Sequence, residues 1–165
     1  MRAIIIWNVN WWLCMLSATY LSPFFAPLFV LPSIIHHNLQ TRQWLVPVSS
    51  ILMGLCIESL FNLFGFTIWP GEMKTIGLLV LLLALWLNMS LIWDSLVQKS
   101  KRLVIYPLFL FGAFPAYAGG AGLGLIGVSK SWQAYLGIGF GYCIALLIMT
   151  MVFRLYESQA PTDAD

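Results

Sequence analysis

Long apolar stretches separated by short polar gaps dominate the chain, and they predict helices of membrane-spanning length. A hydrocarbon core of about 30 Å needs about 20 apolar residues in a helix, with a range of about 17–25. Five stretches meet that length, at residues 4–20, 44–66, 75–96, 103–128 and 132–155. A sixth, at residues 21–37, is long enough but contains Pro23, Pro27 and Pro32. Membrane helices tolerate proline when neighbouring groups satisfy the freed carbonyls, so this stretch also qualifies.

The basic residues favour six crossings with both termini in the cytoplasm. In that arrangement the cytoplasmic side receives six of them: Arg2, Arg42, Lys99, Lys101, Arg102 and Arg154. The outer side keeps only Lys74 and Lys130, which agrees with the positive-inside rule. We therefore predict an all-α fold, a polytopic membrane helical bundle with six transmembrane helices. The alternative is five spans plus a proline-rich re-entrant segment, which weakens the charge bias to five against three.

Composition leaves room for a single domain. The chain of 165 residues is 61% hydrophobic and 8% charged, whereas a soluble domain carries about 25% charged residues. Residues 1–156 form the predicted transmembrane domain, and residues 157–165 form a predicted disordered acidic tail. The net charge of +2 is too small to indicate nucleic-acid binding, so composition predicts the lipid bilayer as the main partner.

Thirteen of the fourteen charged residues lie in or beside the gaps between the apolar stretches. The exception is Glu58, and the main functional hypothesis depends on it. A charged side chain at membrane depth costs roughly 2.5–3.5 kcal/mol on insertion scales, so it usually faces a partner or a water-filled cavity. Asn62 follows one helical turn later on the same face, while Asn8, Asn88 and Tyr117 are polar residues inside other stretches. These five residues define a candidate ligand or proton site. The alternative is structural, with a protonated Glu58 bonded to a neighbouring amide.

Motifs for catalysis, metals and cofactors do not occur in the sequence. His36 and His37 are adjacent, so on a helix they point about 100° apart, whereas metal-binding helices use the i, i+4 spacing. The three cysteines make no C-x-x-C pair. The glycine-rich run at residues 119–124 lacks the preceding strand of a nucleotide-binding fingerprint. We therefore predict no catalytic residue, no metal and no cofactor.

Glycines in the last two stretches predict close helix packing. Two G-x-x-x-G patterns occur, Gly120 with Gly124 and Gly137 with Gly141, and this spacing lets helix backbones approach closely. The simplest interpretation is packing inside one bundle, although a homodimer face or a thin-walled substrate path would use the same glycines. No internal sequence repeat is recognisable, which argues against a transporter built from inverted repeats.

Four segments carry a family resemblance. They are WNVNWWLC at residues 7–14, GLCIESLFNLFG at 54–65, LALWLNMSLIW at 83–93 and GAFPAYAGGAGLG at 112–124. In this order they resemble a family of small bacterial inner-membrane proteins, the domain-of-unknown-function family 2878. The resemblance covers roughly residues 4–150 and implies a multi-pass protein of the cell inner membrane.

The resemblance also implies which residues carry the family's polar positions. The family's acid falls on Glu58, and its Tyr-Gly element falls on Tyr117 and Gly120. This chain has glutamate where aspartate is expected, and Phe114 rather than glycine before Pro115. Because the family has no established activity, the resemblance implies a fold and a location but no function.

Three functions are compatible with the pattern, in decreasing order of preference. The first is a transport or ligand-binding membrane component, with a polar intramembrane site around Glu58 for a small molecule or lipid. The second is a non-catalytic membrane partner or assembly factor for an envelope or lipid-modifying protein, alone or as a homo-oligomer. The third is a lipid-modifying enzyme, which needs a second reactive group beside Glu58. Convergence of the polar residues on one cavity would favour the first.

Overall fold

Helices make up most of the structure. The computed structural model describes residues 2–41, 44–69, 72–93, 96 and 105–159. Six helices lie within these ranges: α1 (Arg2–Tyr20), α2 (Ala26–Thr41), α3 (Leu45–Leu63), α4 (Glu72–Met89), α5 (Ile105–Gly122) and α6 (Trp132–Gln159). A 3-10 helix (Pro23–Phe25) precedes α2, and the short strands β1 (Thr67–Ile68) and β2 (Gly127–Val128) pair antiparallel. The mostly helical character is confirmed, whereas the strand pair is an element that the apolar pattern does not predict.

The proline-rich stretch forms a turn followed by a helix. The Ser22 side chain accepts a hydrogen bond from the backbone N–H of Phe24 at 3.4 Å, and Pro23 occupies the first turn, where a missing N–H costs least. Only Pro32 lies well inside α2. The resulting α2 packs against α1 and α4.

The helices form two packed groups that share α4. Helices α1, α2 and α4 enclose one apolar core, which includes Cys14, Val30 and Leu81. Helices α3, α5 and α6 enclose the other core together with the opposite side of α4, which contributes Trp86. Within the second group α3 packs on α4 and α6, and α5 packs on α6.

The ends of α3 and α5 have the same backbone structure. Gly65 and Gly124 both have a φ of 69°, in the left-handed region that favours glycine. Residues 64–66 and 123–125 donate the same set of backbone hydrogen bonds back to the last turn of their helices, which is the Schellman arrangement of a helix C-terminus. The turns after α3 and α5 therefore have the same backbone conformation, although the sequence shows no recognisable internal repeat.

The strand pair joins the segment that follows α3 to the segment that follows α5. Ile68 pairs directly with Gly127, and Thr67 pairs with Val128. Ile68 follows Gly65 by the same number of residues as Gly127 follows Gly124. The paired residues Ile68 and Gly127 therefore hold corresponding positions after the two turns. Direct antiparallel pairing of equivalent residues puts a local two-fold axis between them. The hairpins α3–α4 and α5–α6 are thus joined head to head at one end of the bundle.

Two of the four predicted packing glycines lie where helices meet. A Cβ atom at Gly137 would overlap the ring of Phe66, and one at Gly141 would overlap the ring of Phe61. Since both aromatic residues belong to α3 or the turn that follows it, α6 approaches α3 through these glycines.

The other glycine pair has a different role. A Cβ atom at Gly120 would lie 3.3 Å from Cγ2 of Ile126, so this glycine packs against the turn after its own helix. Gly124 lies beyond the end of α5 and has nothing within 4 Å of its ideal Cβ position. The G-x-x-x-G pattern of these two residues therefore marks a helix end rather than a helix–helix contact.

Several helices end earlier or later than the apolar stretches predict. The stretch at residues 103–128 holds a helix that ends at Gly122, followed by a turn and β2. Helix α4 ends at Met89, where the predicted span continues to residue 96. Helix α6 runs to Gln159, so the first three residues of the predicted disordered tail are helical. Residues 160–165 of that tail lie outside the described residues.

Two helices in the described part of the chain are long and apolar enough to cross a membrane. They are Leu45–Leu63, with a mean hydropathy of 1.6, and Trp132–Leu155, with a mean hydropathy of 2.2. A shorter apolar helix spans Ile76–Met89.

Replacing Gly137 with leucine should destabilise the protein, because the new side chain would occupy the space of the Phe66 ring. Overpacking of this kind typically costs about 1–3 kcal/mol. Gly119→Leu is the matched control, since Gly119 is exposed on α5 and no atom lies within 4 Å of its ideal Cβ. Thermal unfolding in detergent should show a lower midpoint for the first variant only. Equal midpoints would contradict the contact between α3 and α6.

Candidate functional site

The carboxyl group of Glu58 is buried at the centre of the second group of helices, with 2% of the residue exposed. Its Oε1 atom accepts two hydrogen bonds, from Nε1 of Trp86 at 3.1 Å and from the hydroxyl of Tyr117 at 2.5 Å. Its Oε2 atom has no hydrogen-bond partner among the described residues. One carboxyl oxygen therefore accepts from two protein donors, and the other is buried with no donor among the described residues.

Trp86 is held in place by contacts of its ring and of its backbone carbonyl. Gly54 lies one turn before Glu58 on α3, and a Cβ atom there would overlap the Trp86 ring. The ring can therefore lie against α3 with its N–H reaching the carboxyl group. The Ser50 hydroxyl donates to the Trp86 carbonyl at 2.5 Å and accepts from Nε1 of Trp93 at 2.9 Å.

Aromatic rings surround the carboxyl group. Tyr142 of α6 stacks on Trp86 with centroids 5.3 Å apart and planes 20° apart. The same Tyr142 meets Tyr117 edge to face at 6.1 Å, and Phe61 meets Tyr117 at 6.1 Å with an interplanar angle of 80°. These contacts limit the movement of the Tyr117 ring and so fix the direction of its hydroxyl.

Glu58 and Tyr117 hold corresponding positions before the two matching turns. They are 59 residues apart, the separation that also relates Gly65 to Gly124. An acceptor on α3 and a donor on α5 thus meet at corresponding positions of the two helices.

A cavity of about 540 Å³ lies beside this pair, between α1 and α4 on one side and α5 on the other. Its lining includes the buried residues Glu58, Trp86 and Tyr117. It also includes Trp12, which is 57% exposed, and the exposed Pro115. The cavity therefore runs from the surface of the bundle to the carboxyl group.

Small side chains on α5 form part of the cavity wall. Ala116 and Gly120 are lining residues, and they precede Gly124 by the same numbers of residues as Ile57 and Phe61 precede Gly65. Ile57 and Phe61 pack against α6 at Gly141, whereas Gly120 packs against Ile126 of the turn after its own helix. The corresponding positions of α3 and α5 therefore make different contacts.

Three of the five residues predicted for the site line this cavity: Glu58, Tyr117 and Asn8. Asn8 is exposed on α1, toward the surface end. Asn62 is also exposed and does not line the cavity. Although it lies one turn after Glu58, it comes at the end of α3, where the helix has emerged from the packed core.

Asn88 is fully buried and belongs to a separate contact between α1 and α4. Its side-chain nitrogen donates to the Trp7 carbonyl at 2.8 Å, and its side-chain oxygen accepts from Asn10 at 3.2 Å. These bonds fix α1 on α4 and thus support the wall of the cavity without lining it.

The aromatic lining of the cavity is the part that the polar pattern did not predict. Trp7, Trp11 and Met15 follow each other at i, i+4 and i+8 on α1, and all three line the cavity. This spacing puts them on one helix face. It is the feature of the sequence that could have identified this wall of the cavity. The indole N–H of Trp7 is buried and, within the described structure, has no hydrogen-bond partner.

The geometry of the described residues offers no metal centre. No group of three His, Cys, Asp or Glu side chains in the described ranges converges on one point. His36 and His37 lie on α2, which contributes nothing to the cavity lining.

Comparison with protein-family models, with curated proteins and with solved structures finds no match to this chain.

Replacing Glu58 with leucine should destabilise the protein by more than replacing it with glutamine. Leucine leaves the buried donors of Trp86 and Tyr117 without their acceptor, and each unsatisfied group costs about 1–3 kcal/mol. Glutamine keeps an acceptor oxygen in nearly the same place. Thermal unfolding of both variants in one detergent measures the difference, and a leucine variant as stable as the glutamine variant would show that these bonds stabilise little.

Proposed function

We propose that this chain is a small multi-pass protein of the cell inner membrane that binds a small molecule or lipid beside Glu58, as a transport or ligand-binding component. One observation carries the proposal: a cavity leads from the bundle surface to a buried carboxyl group whose Oε2 atom has no partner within the described residues. The cavity volume of about 540 Å³ falls within the range of about 300–1,000 Å³ that is typical of small-molecule sites.

The surface of the bundle supports the membrane location. Large apolar side chains are exposed on every helix of both groups, for example Ile5 at 57%, Leu28 at 62%, Leu63 at 77%, Ile76 at 51%, Phe111 at 60% and Met151 at 62%. Soluble monomers rarely expose contiguous apolar patches larger than a few hundred Å². The buried share of the two spanning-length helices is 44% and 33%, whereas the core helix of a soluble protein is mostly buried.

The unpartnered polar atoms support a ligand. Buried polar atoms in proteins are nearly always hydrogen-bonded, yet Oε2 of Glu58 and Nε1 of Trp7 are buried without partners in the described part of the chain. Both residues line the same cavity. A ligand that carries one donor or positive charge and one acceptor would satisfy both.

Binding is favoured over the two other functions. Glu58, Tyr117 and Asn8 converge on one cavity, which a purely structural assembly factor does not need. A lipid-modifying enzyme needs a second reactive group, but the hydroxyl beside Glu58 is the Tyr117 phenol, already donated to the carboxyl group.

The proposal includes six spans with both termini in the cytoplasm, and this topology can be measured. A fusion reporter inserted after Lys130, which is exposed in the turn before α6, should report an external location. The positive-inside bias predicts this result. A reporter placed after Arg154 should report the cytoplasm, and a cytoplasmic signal at both sites would overturn the topology.

Blocking the cavity should remove the ligand without unfolding the protein. Gly112 lines the cavity and has no atom within 4 Å of its ideal Cβ, so Gly112→Leu adds bulk to the cavity without an overlap. Gly119→Leu adds the same bulk two turns away on the same helix, outside the cavity lining. Native mass spectrometry of membrane-purified protein should show a bound molecule in the wild type and in Gly119→Leu.

The same measurement should show the bound molecule lost in Gly112→Leu and depleted in Glu58→Gln, with all variants retaining the wild-type unfolding midpoint within a few degrees. Equal occupancy in all four proteins, or no bound molecule in any, would count against the proposal.

A further inference from the structure

We infer that the cavity beside Glu58 binds an organic cation, an ammonium head group attached to an apolar body. This inference rests on the proposed function and adds the chemical class of the ligand. It is based on the free carboxyl oxygen, the absence of basic side chains from the described lining, and the aromatic and aliphatic residues that line the rest of the cavity.

The charge of the lining favours a cation. Glu58 is the one carboxylic acid among the described lining residues, and no lysine, arginine or histidine is found there. A buried carboxylate without an opposite charge is costly, and a bound cation would relieve that cost. Glu58 lines the cavity, and its Oε2 atom is buried with no hydrogen-bond partner among the described residues.

The protein's own donors leave room for a ligand at one oxygen only. Trp86 and Tyr117 both donate to Oε1, and the contacts of their rings with Tyr142 fix them there. An approaching ammonium group therefore meets Oε2 with no competing protein donor among the described residues.

Aromatic faces strengthen the case for a cation over a neutral ligand. Trp7, Trp11 and Trp12 of α1 line the cavity opposite Tyr117 of α5, with Trp86 beside the carboxyl group. Indole and phenol rings attract ammonium groups within about 6 Å of the ring centroid, and enclosed aromatic sites recognise quaternary ammonium ligands. A carboxyl group beside several rings thus combines the two interactions that such a head group can make.

The remaining lining suits the apolar part of the same ligand. Leu78, Leu82 and Leu85 of α4 also line the cavity. Because its other end reaches the apolar outer surface at Trp12, a molecule dissolved in the bilayer can enter from the side with its head group first.

A matched pair of probes tests the charge directly. The first is 3-phenylpropyl-trimethylammonium, and the second is its neutral isostere, in which a quaternary carbon replaces the nitrogen. Binding to protein in nanodiscs of zwitterionic lipid is followed by quenching of tryptophan fluorescence, with empty nanodiscs as the control for partitioning. We expect the wild type to bind the ammonium probe about tenfold more tightly than the isostere.

Glu58→Gln should weaken binding of the ammonium probe about tenfold and leave binding of the isostere unchanged. If that variant does not fold, Trp11→Leu provides the second test, because it removes a lining ring and should weaken only the ammonium probe, by several-fold.

The possible failures are distinguishable. Equal affinity of the wild type for both probes, with binding abolished by Gly112→Leu, would overturn the cation and leave the ligand-binding function standing. No saturable binding of either probe, combined with no bound molecule in native mass spectrometry, would overturn both proposals.

Discussion

The hydrogen bonds to Oε1 of Glu58 are the interaction on which this structure depends. They connect three helices at one atom, since the acceptor lies on α3 and the two donors, Trp86 and Tyr117, lie on α4 and α5. Helices in a bilayer gain little from apolar association with each other, because lipid tails are equally apolar. Directed polar contacts of this kind therefore fix which helix faces meet. They also explain how a carboxyl group is tolerated in the core.

The matching turns after α3 and α5 show how similar backbones can lead to different packing. Helices α3 and α5 end in the same capped turn, and the segments that follow them meet through β1 and β2. Phe61 of α3 packs against Gly141 of α6, while Gly120, at the corresponding position of α5, packs against Ile126 and lines the cavity. One segment thus contributes a closed helix contact, and the other contributes a wall of the cavity.

The sequence predicts the helices and the acid well, and the surroundings of the acid less well. Apolar length identifies the helices because a long hydrophobic run has few other outcomes, and Glu58 is conspicuous because charge is rare within such runs. Helical spacing predicted that Asn62 lies on the same face of α3 as Glu58. It could not show that the Asn62 side chain is exposed at the end of that helix. The bond between Asn10 and Asn88 joins residues distant in the chain, and no local pattern encodes it. The turn at Gly124 was predicted as helix, because an apolar run does not reveal where a left-handed residue ends it.

The meeting of Glu58 and Tyr117 also depends on both segments belonging to one polypeptide. Two identical hairpins assembled as a symmetric dimer would bring the same residue to such a contact from both sides. Two carboxyl groups there could not both ionise without repulsion. Within one chain the corresponding positions can differ, so a carboxyl group can accept a hydrogen bond from a phenol.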